Sequence, residues 1–288
     1  MPSAEIIKSI GSPALADKGS DEFLEFVDPD GTVPPKIWIR WGWFEDNILT
    51  RYLGYTPGES PGGSPVSLFK SVEPKIEKNG VKAESLIPIF PTLTFPNHYS
   101  IATGYYSDNH LILGNTFYSK KLNKTYSMRD SETVQDGAFY GMEPIWVTAE
   151  KNNIKAATYF WIGSEAEING YRPSIFKEYD GSVLFKSRVD SVVKWLEYPE
   201  SKRPKITMLY FSEPDYAGHK YGTNSDEINE SIKQMDDLLG YSIDQLSKLS
   251  IYEKLNIIIV SDHGMVDVST DRLIMLDEYI NMDHFYIT

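Results

Sequence analysis

The feature that most restricts the fold is a nearly unbroken apolar segment, LNIIIV at residues 255–260. Its length and β-branched content predict a central strand of a parallel sheet, covered on both faces. Further candidate strands lie at residues 37–43, 86–90, 154–161 and 206–211, and candidate helices lie at 94–103, 144–152, 185–196 and 225–249. Because strands and helices alternate, the sequence predicts an α/β fold: a mostly parallel sheet with helices on both faces.

Two segments depart from this alternation. Residues 1–35 are polar and rich in turn-forming residues, which predicts an irregular N-terminal extension before a single domain at 36–288. Residues 54–65 contain seven Gly or Pro residues among twelve, which is typical of a surface insertion. Residues 1–23 lack a basic start followed by an apolar stretch, so no secretory signal is recognised there.

Composition excludes several classes of function. The formal net charge of −13 would repel phosphate backbones, so wrapping of a nucleic acid is excluded. The absence of cysteine excludes disulfides, thiolate metal sites and a cysteine nucleophile. No apolar stretch reaches the roughly 20 residues of a transmembrane segment, which excludes a channel or transporter.

Residues that carry chemistry follow the candidate strands directly, where α/β folds bind their ligands. Asp262 and His263 follow LNIIIV, and Gly264 allows a sharp turn after them. Asp215 and His219 follow ITMLYF at 206–211 in the same way. Each pair offers one carboxylate and one imidazole, a donor set that suits zinc and tolerates manganese.

Thr94 lies where a short helix should begin after the strand at 86–90. The simplest interpretation is that its hydroxyl caps that helix. A hydroxyl at a helix N-terminus also lies where anions bind, and a metal could make it a nucleophile toward phosphorus. The residue pattern alone leaves both roles open.

Taken together, these stretches resemble a known family. The segments PTLTFPNHYSIATGYYSDNHLILGN (91–115), GMEPIWVTAEKNNIKAATYFWIGSEAEING (141–170), EPDYAGHKYG (213–222) and SDHGM (261–265) are similar to the nucleotide pyrophosphatase/phosphodiesterase family, within the alkaline phosphatase superfamily. The resemblance covers roughly 200 residues with the motifs in the family's order. It implies an alkaline-phosphatase-like fold and a hydrolase of nucleotide pyrophosphate or phosphodiester bonds.

The resemblance also implies a catalytic role for individual residues. Thr94 matches the nucleophile, which forms a phospho-threonine intermediate and also contacts a zinc ion. Asn115 matches an amide that donates a hydrogen bond to a phosphate oxygen. Two zinc ions are implied, one held by Asp215 and His219 and the other by Asp262 and His263.

Substrate contacts follow from the same match. Phe95 and Tyr210 match the aromatic positions that enclose a nucleobase, which predicts a small nucleotide or phosphodiester as the substrate. His98 and His110 lie in matching stretches, but we assign them structural roles. The family resemblance suggests a periplasmic or extracellular location.

Two departures from the family pattern keep alternatives open. The position of an N-terminal Asp ligand falls on Gly42, and a distal His ligand is expected well beyond His263, whereas 25 residues follow it here. The sequence therefore predicts a domain that is incomplete at its C-terminus. The alternatives are a degenerate domain that binds metal or nucleotide with little turnover, and a phosphodiesterase acting on lipid or choline phosphodiesters. A sulfatase or phosphomutase relative fits less well, because sulfatases need Cys or Ser at the position of Thr94.

Overall fold

The computed structural model describes residues 36–40 (backbone only), 80, 86–268 and 273–281. The strands in these ranges are β1 (Lys36–Arg40), β2 (Thr116–Ser119), β3 (Lys124–Ser127), β4 (Ala156–Tyr159), β5 (Ile175–Lys177), β6 (Ile206–Tyr210) and β7 (Asn256–Val260). Five of them form one sheet in the order β5-β4-β6-β1-β7, and every pairing within it is parallel. The other two, β2 and β3, form a separate antiparallel hairpin.

The helices lie between these strands along the chain. They are α1 (Thr94–Thr103), α2 (Ser107–His110), α3 (Ser131–Val134), α4 (Ile145–Lys151), α5 (Phe185–Leu196), α6 (Asp215–Tyr221) and α7 (Asp226–Leu246). Short 3₁₀ turns occur at Gly137–Phe139, Tyr252–Lys254 and Leu276–Glu278. None of the helices in the described ranges combines the length and apolar character that crossing a bilayer requires.

Helices cover both faces of the sheet, as predicted. Successive residues of β6 illustrate this, because side chains alternate between faces along a strand. Leu209 belongs to a core with α5 and α7, whereas Met208 belongs to a second core with α1 and α4. The sheet therefore separates two apolar clusters, and its carboxyl edge lies between them.

In the longest helix, α7, the apolar residues that recur at helical spacing face the core. The apolar residues of α7 at positions 228, 232, 235, 239, 243 and 246 are all buried. Ser225 caps its N-terminus, with its hydroxyl accepting a hydrogen bond from the amide of Ile228 at 3.2 Å. Helix α5 occupies residues 185–196 as predicted, and α1 ends at Gly104, whose φ of 75° suits glycine.

The structure differs from the strand predictions at two places. Among the described strands, β7 lies at the edge of the sheet rather than at its centre: it pairs there with β1 alone, and four of its five residues are half-buried. Its Ile257 and Ile259 pack against the core of α5 and α7. Residues 86–90 form no strand, because Pro88 cannot donate to a ladder and Ile87 and Phe90 are 81% and 90% exposed.

Some predictions fall outside the described residues. These are the irregular extension at 1–35, the insertion at 54–65 and the ligand position at Gly42. The first domain strand, predicted at 37–43, is observed as β1 at Lys36–Arg40, in register with both β6 and β7. It therefore brings those two strands, and the residues that follow them, to the same edge.

Candidate active site

The candidate nucleophile begins the helix that crosses the carboxyl edge of the sheet. Thr94 is the first residue of α1, and the N-cap residue is Leu93, with φ −127° and ψ 158° and no side-chain cap. The prediction that Thr94 caps the helix is therefore wrong. Its half-buried hydroxyl instead lies 3.4 Å from Nε2 of His263.

The helix N-terminus is satisfied by a distant side chain. Asn115, which follows the α2 segment, accepts a hydrogen bond from the amide of Phe95 at 3.0 Å through Oδ1. The first amides of a helix have no partner within the helix, so this bond replaces a local cap. Because Oδ1 is engaged, the amide nitrogen of Asn115 is the group left to donate. An N–H donor beside Thr94 is what the resemblance implied for this residue.

Asp262 and His263 form the buried part of the site, directly after β7. They are 3% and 8% exposed, and Oδ2 of Asp262 lies 3.2 Å from Nε2 of His263. The other ring nitrogen, Nδ1, lies 2.8 Å from the carbonyl oxygen of Gly264. A carbonyl only accepts, so Nδ1 carries a proton, and Nε2 is the ring nitrogen that faces Asp262 and Thr94.

This arrangement bears on metal binding. A carboxylate oxygen of Asp262 and the hydroxyl oxygen of Thr94 lie 3.2 and 3.4 Å from Nε2 of His263. A carboxylate, an imidazole and a hydroxyl are a mixed N/O donor set, which suits zinc. The donor chemistry of Asp262, His263 and Thr94 therefore fits one of the two implied zinc ions.

Asp215 and His219 lie on the short helix α6, after β6. His219 Nε2 is 3.6 Å from Oδ1 of Asp215, one turn apart, and their side chains are 71% and 24% exposed. Glu213 steadies this helix by accepting hydrogen bonds from the amide of Ala217 at 3.2 Å and the hydroxyl of Ser231 at 3.0 Å. One carboxylate and one imidazole again fit zinc, as two of the three protein ligands of a catalytic site.

The structure forms these two pairs separately. Within residues 86–268 and 273–281, no three acidic or histidine side chains are grouped as a metal site would group them. The segments are nonetheless adjacent, because a Cβ on Gly218 of α6 would come within 2.9 Å of Sδ of Met265. Asp267 also links the segment after β7 to the segment after α6. It accepts hydrogen bonds from the amide of Thr223 and the side-chain amide of Asn224, each at 3.1 Å.

The aromatic residues predicted to enclose a base lie on two elements. Phe95 is half-buried in α1, with its ring 6.1 Å from that of Tyr126. Tyr210 ends β6, with its ring 5.5 Å from His98 and 6.2 Å from Tyr179. Tyr179 is 55% exposed and was not singled out from the sequence. It follows β5, a strand of three residues, so the rule that ligands bind at strand ends would have found it only once that strand was known.

Two buried charged residues hold the segment that carries Tyr179. Glu165 accepts a hydrogen bond from the amide of Tyr179 at 2.9 Å, and burial raises the pKa of its carboxyl group. Arg188 is fully buried and donates to the carbonyl of Tyr210 at 3.1 Å and to that of Val183 at 3.0 and 3.1 Å. Burial lowers the pKa of its guanidinium. The two side chains thereby fix the backbone of the segment after β5 and of the end of β6.

Comparison with known proteins identifies the relatives of this chain. The family model described as type I phosphodiesterase/nucleotide pyrophosphatase matches residues 74–288. The chain belongs to this family. Among curated relatives, human ectonucleotide pyrophosphatase/phosphodiesterase family member 1 is 42% identical over 206 residues, covering 72% of this chain and 22% of the relative. Venom phosphodiesterase 2 of Crotalus adamanteus is 43% identical over 213 residues, covering 74% and 26%.

Solved structures of the type I phosphodiesterase family share the fold. Murine ectonucleotide pyrophosphatase/phosphodiesterase 5, as an inactive threonine-to-alanine variant in complex with AMP, has a TM-score of 0.74 and 29% identity. The match covers 88% of this chain and 63% of that structure. The human form of the same protein matches with a TM-score of 0.72. The alkaline-phosphatase-like fold is therefore confirmed, and the chain spans about a quarter of the length of its curated relatives.

Proposed function

We propose that the domain hydrolyses nucleotide pyrophosphate or phosphodiester bonds, with Thr94 as the nucleophile. The observation that carries this proposal is the convergence of Thr94, Asp262 and His263 at the N-terminus of α1. A helix N-terminus attracts anions through its amides and dipole, so a phosphoryl group is drawn to the hydroxyl. The names of the relatives, which include pyrophosphatase and phosphodiesterase, support the same reaction class.

The reaction proceeds in two displacements at phosphorus. Oγ1 of Thr94 bonds to phosphorus, the bond from phosphorus to the leaving oxygen breaks, and the hydroxyl proton passes through solvent to that leaving oxygen. The resulting threonine phosphodiester retains the nucleoside, and water then cleaves it to a nucleoside monophosphate and free Thr94. The amide nitrogen of Asn115 donates to a non-bridging oxygen as negative charge develops there.

The two Asp–His pairs provide the ligands for two zinc ions. Asp262, His263 and Thr94 would hold one, and Asp215 and His219 the other, each with room for further ligands. When bound, the ions supply the positive charge that activates the hydroxyl and stabilises the phosphoryl oxygens. Such charge is needed here, because the chain itself carries a net charge of −13.

The aromatic residues of α1 and of the strand ends bind the nucleoside. Phe95 and Tyr210 stack on the base, and exposed Tyr179 lies beside Tyr210 to extend the same surface. Stacking contributes about 1–3 kcal/mol per base and tolerates base identity. The structural relative in complex with AMP supports a nucleotide ligand, and the words "ecto" and "venom" in relatives' names support an extracellular setting.

The decisive experiment is hydrolysis of p-nitrophenyl-TMP by the full chain with added zinc. Thr94→Ala should lower kcat by about 10³-fold or more, because the covalent step is lost. Thr92→Ala is the matched control, since Thr92 is exposed two residues away, and it should retain wild-type turnover. Acid-quenched wild-type protein should carry a TMP adduct on Thr94 by mass spectrometry. Retained turnover in Thr94→Ala would refute the mechanism.

A second candidate is a domain that binds zinc or nucleotide without turnover. It is favoured by the separate pairing of the ligands, with no group of three in the described ranges. Elemental analysis separates the two: two zinc ions per chain together with turnover support the enzyme, and binding without turnover supports this alternative. Comparing p-nitrophenyl-TMP with p-nitrophenylphosphorylcholine separates a nucleotide enzyme from one acting on choline phosphodiesters.

A further inference from the structure

His98 lies at the centre of the site, in α1, one turn after the nucleophile. Its side chain is fully buried, and Nδ1 forms a short hydrogen bond with the backbone carbonyl of Thr94. Because a carbonyl oxygen only accepts, Nδ1 must carry the proton in this contact. The imidazole therefore holds the peptide group of the residue that bears the reactive hydroxyl.

The same ring contacts the ends of three strands. Its edge meets Trp161, after β4, at 5.3 Å and Tyr210, at the end of β6, at 5.5 Å between ring centroids. Nδ1 lies 3.8 Å from Oδ2 of Asp262, which follows β7, and both side chains are fully buried. Trp161 also donates from Nε1 to the carbonyl of His98 at 3.3 Å. One side chain thus joins the nucleophile helix to the edge that supplies Asp262.

A second buried histidine shows that burial alone does not produce this arrangement. His110 accepts from the amide of Ile112 at 3.2 Å through Nδ1, so its Nε2 donates to the hydroxyl of Ser100 at 2.8 Å. These partners all belong to the segment of α1 and α2. His110 therefore stabilises a local turn, as the sequence suggested, whereas His98 connects separate elements of the fold.

We propose that His98 is a positioning residue for the reaction: its Nδ1–H fixes the peptide group of Thr94, and its ring sets the distance between the nucleophile helix and Asp262. The proposal rests on the proposed function, because it acts through Thr94 and Asp262. His98 itself makes no bond to the substrate. A misplacement of about 1 Å can cost about 100-fold in rate, which is the scale of effect expected here.

Three substitutions at position 98 test this role. His98→Asn places an amide N–H where Nδ1 lies, whereas His98→Gln places it near the position of Nε2, and His98→Ala removes both. With p-nitrophenyl-TMP and zinc, kcat should fall about 100-fold in His98→Gln and His98→Ala but less than about tenfold in His98→Asn. KM should change by less than about threefold in each, because His98 makes no bond to the substrate. His110→Gln is the matched control and should keep wild-type kcat.

The outcome is interpretable whatever the variants do to folding. Rates are normalised to the folded fraction measured by circular dichroism, and equal kcat values in His98→Asn and His98→Gln would overturn the proposal. A second measurement needs no turnover: ¹⁵N-histidine NMR of the wild-type protein should show a proton on Nδ1 of His98. An Nδ1 without a proton would overturn the proposal as well. A wild-type chain without turnover would refute the proposed function. The NMR result would still show whether Nδ1 of His98 donates to the carbonyl of Thr94.

Discussion

The two Asp–His pairs have the same composition but differ in how the protein supports them. Asp262 and His263 are buried after a sheet strand, in contact with Thr94 and His98. Asp215 and His219 lie on a helix of seven residues, where the His219 side chain is 71% exposed. The first pair is positioned by the protein alone, so it should persist without metal. The second has few protein contacts around His219 and depends more on what it binds.

The strongest test of protein-based support is removal of the buried guanidinium beneath the strand ends. Arg188→Leu leaves the carbonyls of Tyr210 and Val183 without their donor, at about 1–3 kcal/mol each in free energy of unfolding. Urea denaturation with EDTA measures this loss. Arg172→Leu, at an exposed position, should stay within about 0.5 kcal/mol. Equal effects of the two substitutions would show that Arg188 does not support the site.

Acid should destabilise the protein through His110, which holds the turn between α1 and α2. Burial lowers the pKa of His110 from the usual 6.5 to about 4, so the unfolded chain takes up this proton first. Stability should therefore fall as the pH drops from about 6.5 to about 4, by about 3 kcal/mol in total from this group. His110→Gln should flatten this part of the curve of unfolding free energy against pH. An unchanged slope in the variant would contradict the assignment.

The comparison between the pairs predicts unequal effects of two matched substitutions in metal-free protein. His263→Ala removes a buried ring that bonds to the carbonyl of Gly264, and it should cost about 1–3 kcal/mol. His219→Ala removes a largely exposed ring and should change stability by less than about 0.5 kcal/mol. Urea denaturation in EDTA gives both values. With zinc present, both variants should bind less metal, and a stability loss in His219→Ala without zinc would break the comparison.

The smallest expected effect concerns the link between the two segments. Hydrogen bonds from the amide of Thr223 and the side chain of Asn224 lower the pKa of Asp267. Its bonds should therefore weaken as acid protonates the carboxylate. Asp267→Ala should speed amide hydrogen exchange at Thr223 while leaving α7 protected. Unchanged exchange at Thr223 would show that the link does not order the end of α6.

The spacing of apolar residues and the alternation of strands with helices predict the sheet and its long helices. Helices α5 and α7 were found because their apolar residues recur at helical spacing, and the sheet followed from alternation. The hairpin of β2 and β3 and the three-residue β5 were missed, since such short strands carry too few residues to show a period. The apolar composition of residues 86–90 predicts a strand that does not form, because Pro88 and the exposure of Ile87 and Phe90 oppose it.

The site was predicted as a set of residues but not as an arrangement. Strand ends indicated Asp262, His263 and Asp215, and the structure places Thr94 beside the first two. Sequence could not show that Asn115 supplies the helix cap expected from Thr94, because the bond joins residues twenty apart. Nor could it separate His98 from His110, since both are buried histidines in one short stretch and differ only in tertiary partners.

Thr94 and His263 are 169 residues apart in the chain, yet their side chains meet. On a ribosome, the nucleophile helix emerges long before the strand that carries its partner. Loop closure of this length is slow, because its entropic cost is met before any contact rewards it. The Thr94 hydroxyl therefore acquires its neighbours late, only once β7 has joined the sheet beside β1.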